Sequence, residues 1–127
     1  MAARSLVFGP PQRLLKASEF NRVFKQGRRL SVPEFTLAFR VRASRDGRGY
    51  PPRLGLSVSR KVGDAVRRNL LKRRLREIFR LNQHSLAFGS ELVVIPRKEA
   101  GGLSYQELEL RVLSLLERGK LLIKGSQ

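Results

Sequence analysis

From Asp64 to Arg80 the chain runs without a glycine or proline, and Leu71, Leu75 and Ile78 recur within that run at helical spacing. An alternating apolar stretch, Leu54-Gly55-Leu56-Ser57-Val58, comes shortly before it. A strand that feeds a long helix with one apolar stripe must lay that helix on a sheet, because the stripe has to be buried. The rest of the helix is set apart by its charge. Residues 60–80 carry nine basic side chains against only Asp64 and Glu77. At about 100° per residue, Arg68, Lys72, Arg76 and Arg80 climb one side in steps of four. A solvated helix balances its charges with acid–base pairs one turn apart. Here the cations are left for a polyanion.

The whole chain repeats that imbalance, with 27 Lys and Arg against 10 acids and a formal charge of +17 over 127 residues. Bound phosphates would relieve the self-repulsion, which points to nucleic acid. The length suits one domain, residues 1–127, with a modest core. There is no cysteine, which excludes disulfides and thiol chemistry and fits a reducing interior. No apolar run approaches the roughly 20 residues needed to span a bilayer. Leu6-Val7-Phe8 stops at Gly9-Pro10-Pro11, too short for a signal-peptide core. The expected location is therefore the cytoplasm, with no membrane contact and no protein partner evident.

Residues 1–12 read as an extended arm. Ser18 is the expected N-cap of a helix over Glu19 to Gln26, closed by Gly27, with Phe20, Val23 and Phe24 on one face. Residues Phe35 to Arg42 alternate: Phe35, Leu37, Phe39 and Val41 point one way, Thr36, Ala38, Arg40 and Arg42 the other. Residues 44–52 form a loop of turn formers. In the next strand Leu54, Leu56 and Val58 oppose Gly55, Ser57 and Ser59. A connection over 83–89 leads to a buried strand from Glu91 to Ile95. Ser104 and Glu107 match a capping box that opens a last helix through Leu108, Val112, Leu115 and Leu116, with Gly119 at its end. Residues 120–127 read as a flexible tail. The small, polar strand face beside Phe20 and Phe24 is suited to single-stranded nucleic acid, with rings for stacking and cations for phosphates. The two phenylalanines fit a plain core equally well.

Nothing in the chain forms a catalytic set. His84 is the single imidazole and has no partners at a meaningful spacing. Asp46, Asp64 and Glu77 do not share one evident face, whereas metal-dependent phosphodiester hydrolysis gathers several carboxylates. No phosphate-cradling glycine loop is present. No catalytic residue and no metal site are expected.

The stretch Gly55-Leu56-Ser57-Val58-Ser59-Arg60-Lys61-Val62-Gly63, followed by Ala65-Val66, Arg68-Asn69, Lys72-Arg73 and Arg76, closely resembles the bacterial ribonuclease P protein subunit and its RNR motif. The Phe20 to Gly27 segment resembles that family's first helix, and Leu92 to Ile95 with the Tyr105 helix resembles its end. Two positions depart from the pattern. Leu70 stands where an arginine is usual, with Arg67 or Arg74 near enough to supply the charge, and Ala38 stands where an aromatic is frequent.

The fold expected is a single small α+β domain, a mixed four-stranded sheet with three helices in the order α-β-β-β-α-β-α. The resemblance also implies a left-handed βαβ crossover, against the usual right-handed rule. It implies a cofactor of a ribozyme, whose RNA subunit removes the 5′ leader of precursor tRNA using Mg²⁺ bound mainly by that RNA. The partners implied are the catalytic RNA and precursor tRNA. Lys61, Arg67, Arg68, Asn69, Lys72, Arg73 and Arg76 would contact RNA; Phe20, Phe24, Arg40 and Ser57 would line the leader cleft. A ribosomal protein or RNA chaperone would share the charge and the missing catalysis.

Overall fold

The computed structural model describes residues 13–14, 16–43 and 50–122. The expected arm over 1–12, most of the loop over 44–52 including Asp46, and the tail beyond 122 lie outside the described residues. The elements run α1 (Ala17–Gln26), β1 (Arg28–Ser31), β2 (Phe35–Val41), β3 (Arg53–Leu56), α2 (Ala65–Asn82), β4 (Ser90–Pro96) and α3 (Tyr105–Arg118). The chain is a single α+β domain whose four strands form one mixed sheet in the order β1-β2-β4-β3. Strand β4 lies between β2, to which it is antiparallel, and β3, to which it is parallel, so α2 is the crossover between two parallel neighbours.

One face of the sheet carries the main core. Phe35, Leu37, Phe39, Leu54, Leu92 and Val94 are buried against Leu71, Leu75, Ile78 and Phe79 of α2 and Leu108, Val112, Leu115 and Leu116 of α3. This is the apolar phase read from the sequence, and both helices cover it. The alternation overshoots at Val41, which is 58% exposed because β2 extends past the helices there.

Several boundaries differ from expectation. α1 begins at Ala17, and Ser18 lies in its first turn. The Glu19 carboxylate reaches back to accept from the Lys16 N–H at 3.1 Å, so the helix starts without a serine cap. Strand β1, Arg-Arg-Leu-Ser, has no apolar alternation to betray it; it is a charged edge strand, a common protection against edge pairing. Gly27 adopts ordinary extended backbone and is needed for space: a Cβ there would lie 2.3 Å from the Phe39 carbonyl oxygen. The flexible tail expected from residue 120 begins later. Leu121 is buried in the main core, and Leu122 bridges to Leu86 after Lys120 turns the chain at φ 58°.

The other sheet face is not the open platform that alternation implies. α1 lies across it, and Ala38 and Val93 are fully buried there with Val23 and Leu14. Phe20, Phe24 and Ile95 are partly buried at the margin of this second, smaller cluster. Small residues at Ala38 and Gly55 let the helix approach closely. A Cβ on Gly55 would stand 2.7 Å from Phe20 Cζ.

Candidate nucleic-acid interface

The basic helix starts where Gly63, at φ 154°, turns the chain out of a short 3-10 turn over Arg60–Val62. Asp64 caps it, its Oδ1 accepting from the Arg67 N–H at 2.9 Å. With Leu71, Leu75 and Ile78 held in the core, the cations divide into two sets. Lys61, Arg67 and Arg73 are exposed, as is the neutral Asn69 among them. Arg68, Lys72 and Arg76 are half-buried, and the Nε of Arg68 is buried with no hydrogen-bond partner among the described residues. The last member of the stripe, Arg80, is engaged by Glu77, with Nε donating to Oε2 at 3.0 Å. That contact raises the Arg80 pKa and lowers that of Glu77. Leu70 is partly exposed; it lines a shallow notch with Arg67 and Arg74 on one side and Ala100 and Gly101 on the other. A guanidinium thus stands one turn away on each side of the position where the family pattern has an arginine.

Lys72 and Arg76 line a groove of about 160 Å³ along the free edge of β3, together with Phe20 from α1, Leu54 and Leu56 from β3, and Arg13 and Leu14. The segment before α1 is stitched to that edge, the Leu14 N–H donating to the Leu54 carbonyl at 2.9 Å. Three cations therefore meet an apolar floor, and none of the groove's lining residues is acidic. Burial, and then the charge of Arg13, lower the pKa of Arg76 from its ordinary value. Cations held together over apolar surface, with a phenyl ring at their side, suit a phosphate backbone with an unstacked base.

Of the four residues expected in a leader cleft, the two phenylalanines touch each other, and Arg40 and Ser57 lie elsewhere than in the groove's lining. Phe20 lines the groove. Phe24 packs edge-on against Phe20 at 6.4 Å between ring centres, and the Arg29 guanidinium lies 5.0 Å from its ring. Ser57 is exposed just past the end of β3, its N–H donating to the Val94 carbonyl at 3.0 Å. Arg40 is engaged within the protein: its Nε donates to Glu91 Oε1 at 2.5 Å and its Nη1 to Gln26 Oε1 at 2.6 Å. The reason is register, since Glu91 is the direct cross-strand neighbour of Arg40. Sequence reasoning missed Arg13 and Glu91. Arg13 sits in a segment with no periodicity, and Glu91 looks like the polar start of an apolar strand; only the pairing of distant strands gives either a role.

Among the described residues no helix is long and apolar enough to cross a membrane, and no three His, Cys, Asp or Glu side chains gather where they could hold a metal ion. The ribonuclease P family model matches residues 8–120. The chain is 39% identical over 106 residues to the ribonuclease P protein component of Finegoldia magna, covering 84% of this chain and 88% of the relative. It is 40% identical over 111 residues to that of Thermotoga maritima, covering 84% and 91%. The solved ribonuclease P protein of Thermotoga maritima superposes with a TM-score of 0.72 at 39% identity, over 84% of this chain and 96% of the other. That of Staphylococcus aureus gives 0.76 at 27% identity, over 87% and 97%. With the family model, the fold and nearly the full length of the relatives in agreement, the chain belongs to the ribonuclease P protein family.

Proposed function

We propose that this protein is the RNA-binding subunit of a ribonuclease P ribonucleoprotein in the cytoplasm, and that its two sets of cations serve two RNAs. The exposed set, Lys61, Arg67 and Arg73, with the neutral Asn69 and Arg68 beside it, contacts the catalytic RNA. The groove set, Lys72 and Arg76 with Arg13, holds the 5′ leader of precursor tRNA against Phe20. The observation that carries this reading is the groove itself, where cations without an acid converge over apolar residues and one ring. Phe24, Arg40 and Ser57 border the groove's supports and are assigned there to shaping it.

Cleavage is assigned to the RNA subunit. Mg²⁺ would supply a Lewis acid and an activated water, and the described residues of the protein gather no ligand set for it. The protein's own residues neutralise phosphate charge and orient the leader. Purified protein freed of all RNA is expected to leave precursor tRNA intact; cleavage by such a preparation would overturn the assignment.

The division of cations is tested in the reconstituted holoenzyme. Lys72→Ala with Arg76→Ala should lower precursor tRNA affinity, leave mature tRNA affinity unchanged, and flatten the salt dependence of precursor binding by about 0.7 log units per lost contact on single-stranded RNA. Arg67→Ala with Arg73→Ala should instead weaken assembly with the RNA subunit. Equal weakening of precursor and mature tRNA by the groove pair would remove the leader from the groove.

A further inference from the structure

The second face of the sheet holds α1 with little apolar surface, and one buried carboxylate stands at the centre of what remains. Glu91 is 4% exposed on the central strand. Its cross-strand neighbours are Arg40 on β2 and Arg53 on β3, so register alone places it between two guanidiniums. Arg40 Nε donates to its Oε1 at 2.5 Å, and Arg53 Nη1 stands 3.6 Å from its Oε2. Each arginine then continues to α1. Arg40 Nη1 donates to Gln26 Oε1, in the last turn, at 2.6 Å. Arg53 Nη2 lies 2.6 Å from Glu19 Oε2, in the first turn, and donates to the Arg13 carbonyl at 2.9 Å. One carboxylate thus reaches both ends of α1 and the segment that carries Arg13.

We propose that Glu91 is a positioning residue, which fixes the seat of α1 on the sheet and so sets how far Phe20 and Arg13 stand from Lys72 and Arg76. The groove has one side on α1 and its approach segment and the other on α2. The α2 side is anchored by the main core. The α1 side rests on a smaller cluster, Leu14, Val23, Ala38 and Val93 with Phe20, Phe24 and Ile95 partly buried against them, and apolar burial of this kind is non-directional. Directional hydrogen bonds at both ends of the helix supply the orientation. Taking the charge from Glu91 would leave Arg40 with a neutral partner in Gln26 and Arg53 drawn toward Glu19, cutting the link across the sheet between the two ends of α1. The consequence for leader binding rests on the groove reading above; the seat of α1 does not.

Two measurements separate them. In the free protein, Glu91→Gln is expected to speed amide exchange at Val23 and Phe24 at least tenfold while Leu75 and Ile78 in α2 keep their protection. Exchange unchanged in α1, or faster by the same factor in both helices, overturns the proposal. In the holoenzyme the same variant should lower the ratio of precursor to mature tRNA affinity by about tenfold, as expected for misplacement of a binding wall, with assembly on the RNA subunit unaffected. Phe20→Ala is the control for the groove. If it lowers the ratio and Glu91→Gln does not, the positioning role is overturned. If it leaves the ratio unchanged, the groove reading fails while α1 exchange still decides the seat. Should Glu91→Gln fail to fold, Gln26→Ala cuts the last-turn link at an exposed side chain and should shift both readouts in the same direction by less; α1 exchange unchanged in that variant would overturn the proposal.

Discussion

The two faces of the sheet are held by different physics. The α2–α3 face buries large side chains in layers, Phe35, Leu37 and Phe39 against Leu75, Ile78 and Leu115. The α1 face fully buries only Leu14, Val23, Ala38 and Val93, leaves Phe20, Phe24 and Ile95 partly covered, and adds the Arg40–Glu91–Arg53–Glu19 chain of ion pairs. Apolar burial scales with area and is indifferent to direction, whereas ion pairs hold geometry and contribute little net stability once desolvation is counted. One face therefore fixes whether the protein folds, and the other fixes where one helix sits.

The sharpest way to break that contrast is by cavities. Leu75→Ala, at a fully buried position facing the sheet, should cost about 2–5 kcal/mol in urea denaturation. Val23→Ala, as buried but on the other face, removes less and should cost about 1–2 kcal/mol. Equal losses would mean that the small cluster is as load-sensitive as the main core. Next is overpacking: Gly55→Ala sets a methyl 2.7 Å from the Phe20 ring and 3.1 Å from Leu14 Cβ. The ring's far end can swing, so a cost of about 1 kcal/mol is expected, with a displaced Phe20 ring current visible by NMR. An unmoved ring with a larger stability loss would show that α1 is seated rigidly by packing alone.

Smaller again is the effect at the start of α3, where the polar contacts are local. Ser104 Oγ accepts from the Glu107 N–H at 3.1 Å, and Glu107 Oε1 accepts from the Ser104 N–H at 3.0 Å. Ser104→Ala should cost about 1 kcal/mol. The backbone N–H of Ser104, then its side chain, lower the Glu107 pKa. Its stabilising contribution is therefore present above the usual carboxylate range and fades as pH falls through the lowered value. Glu107→Gln should lower the neutral plateau slightly and flatten the acid limb of stability against pH, leaving stability below the lowered value unchanged.

What could be read from the sequence follows the same division. The α2 stripe and the Ser104–Glu107 box are local patterns and appear as spacing alone implies, whereas the β2 and β3 alternation gives the core face but not Val41, which is exposed, nor Val58 and Ser59, which lie past the end of β3. The covered second face was not legible, because Ala38 and Gly55 look like gaps in a pattern and become contacts only when α1 lies on them. Arg40 reads as a free cation for the same reason: its partner is 51 residues away in sequence. Lys72 and Arg76 were visible as cations, but their meeting with Phe20 and Arg13 depends on strand order.

That order, β1-β2-β4-β3, also dictates a sequence of events during synthesis. Strands β2 and β3 share no edge; each pairs with β4, which leaves the ribosome last and after the whole of α2. Until Ser90–Pro96 is available, the strand pairing open among the named strands is the β1–β2 hairpin, marginal by itself. The cationic helix must then wait without a surface to lie on, and such non-local closure is slow. A chain halted at Gly89 is expected to show helical circular dichroism without a cooperative melt, and chains carried through α3 should recover one. The seat of the cationic helix is thus assembled only once β4 has joined its two neighbours.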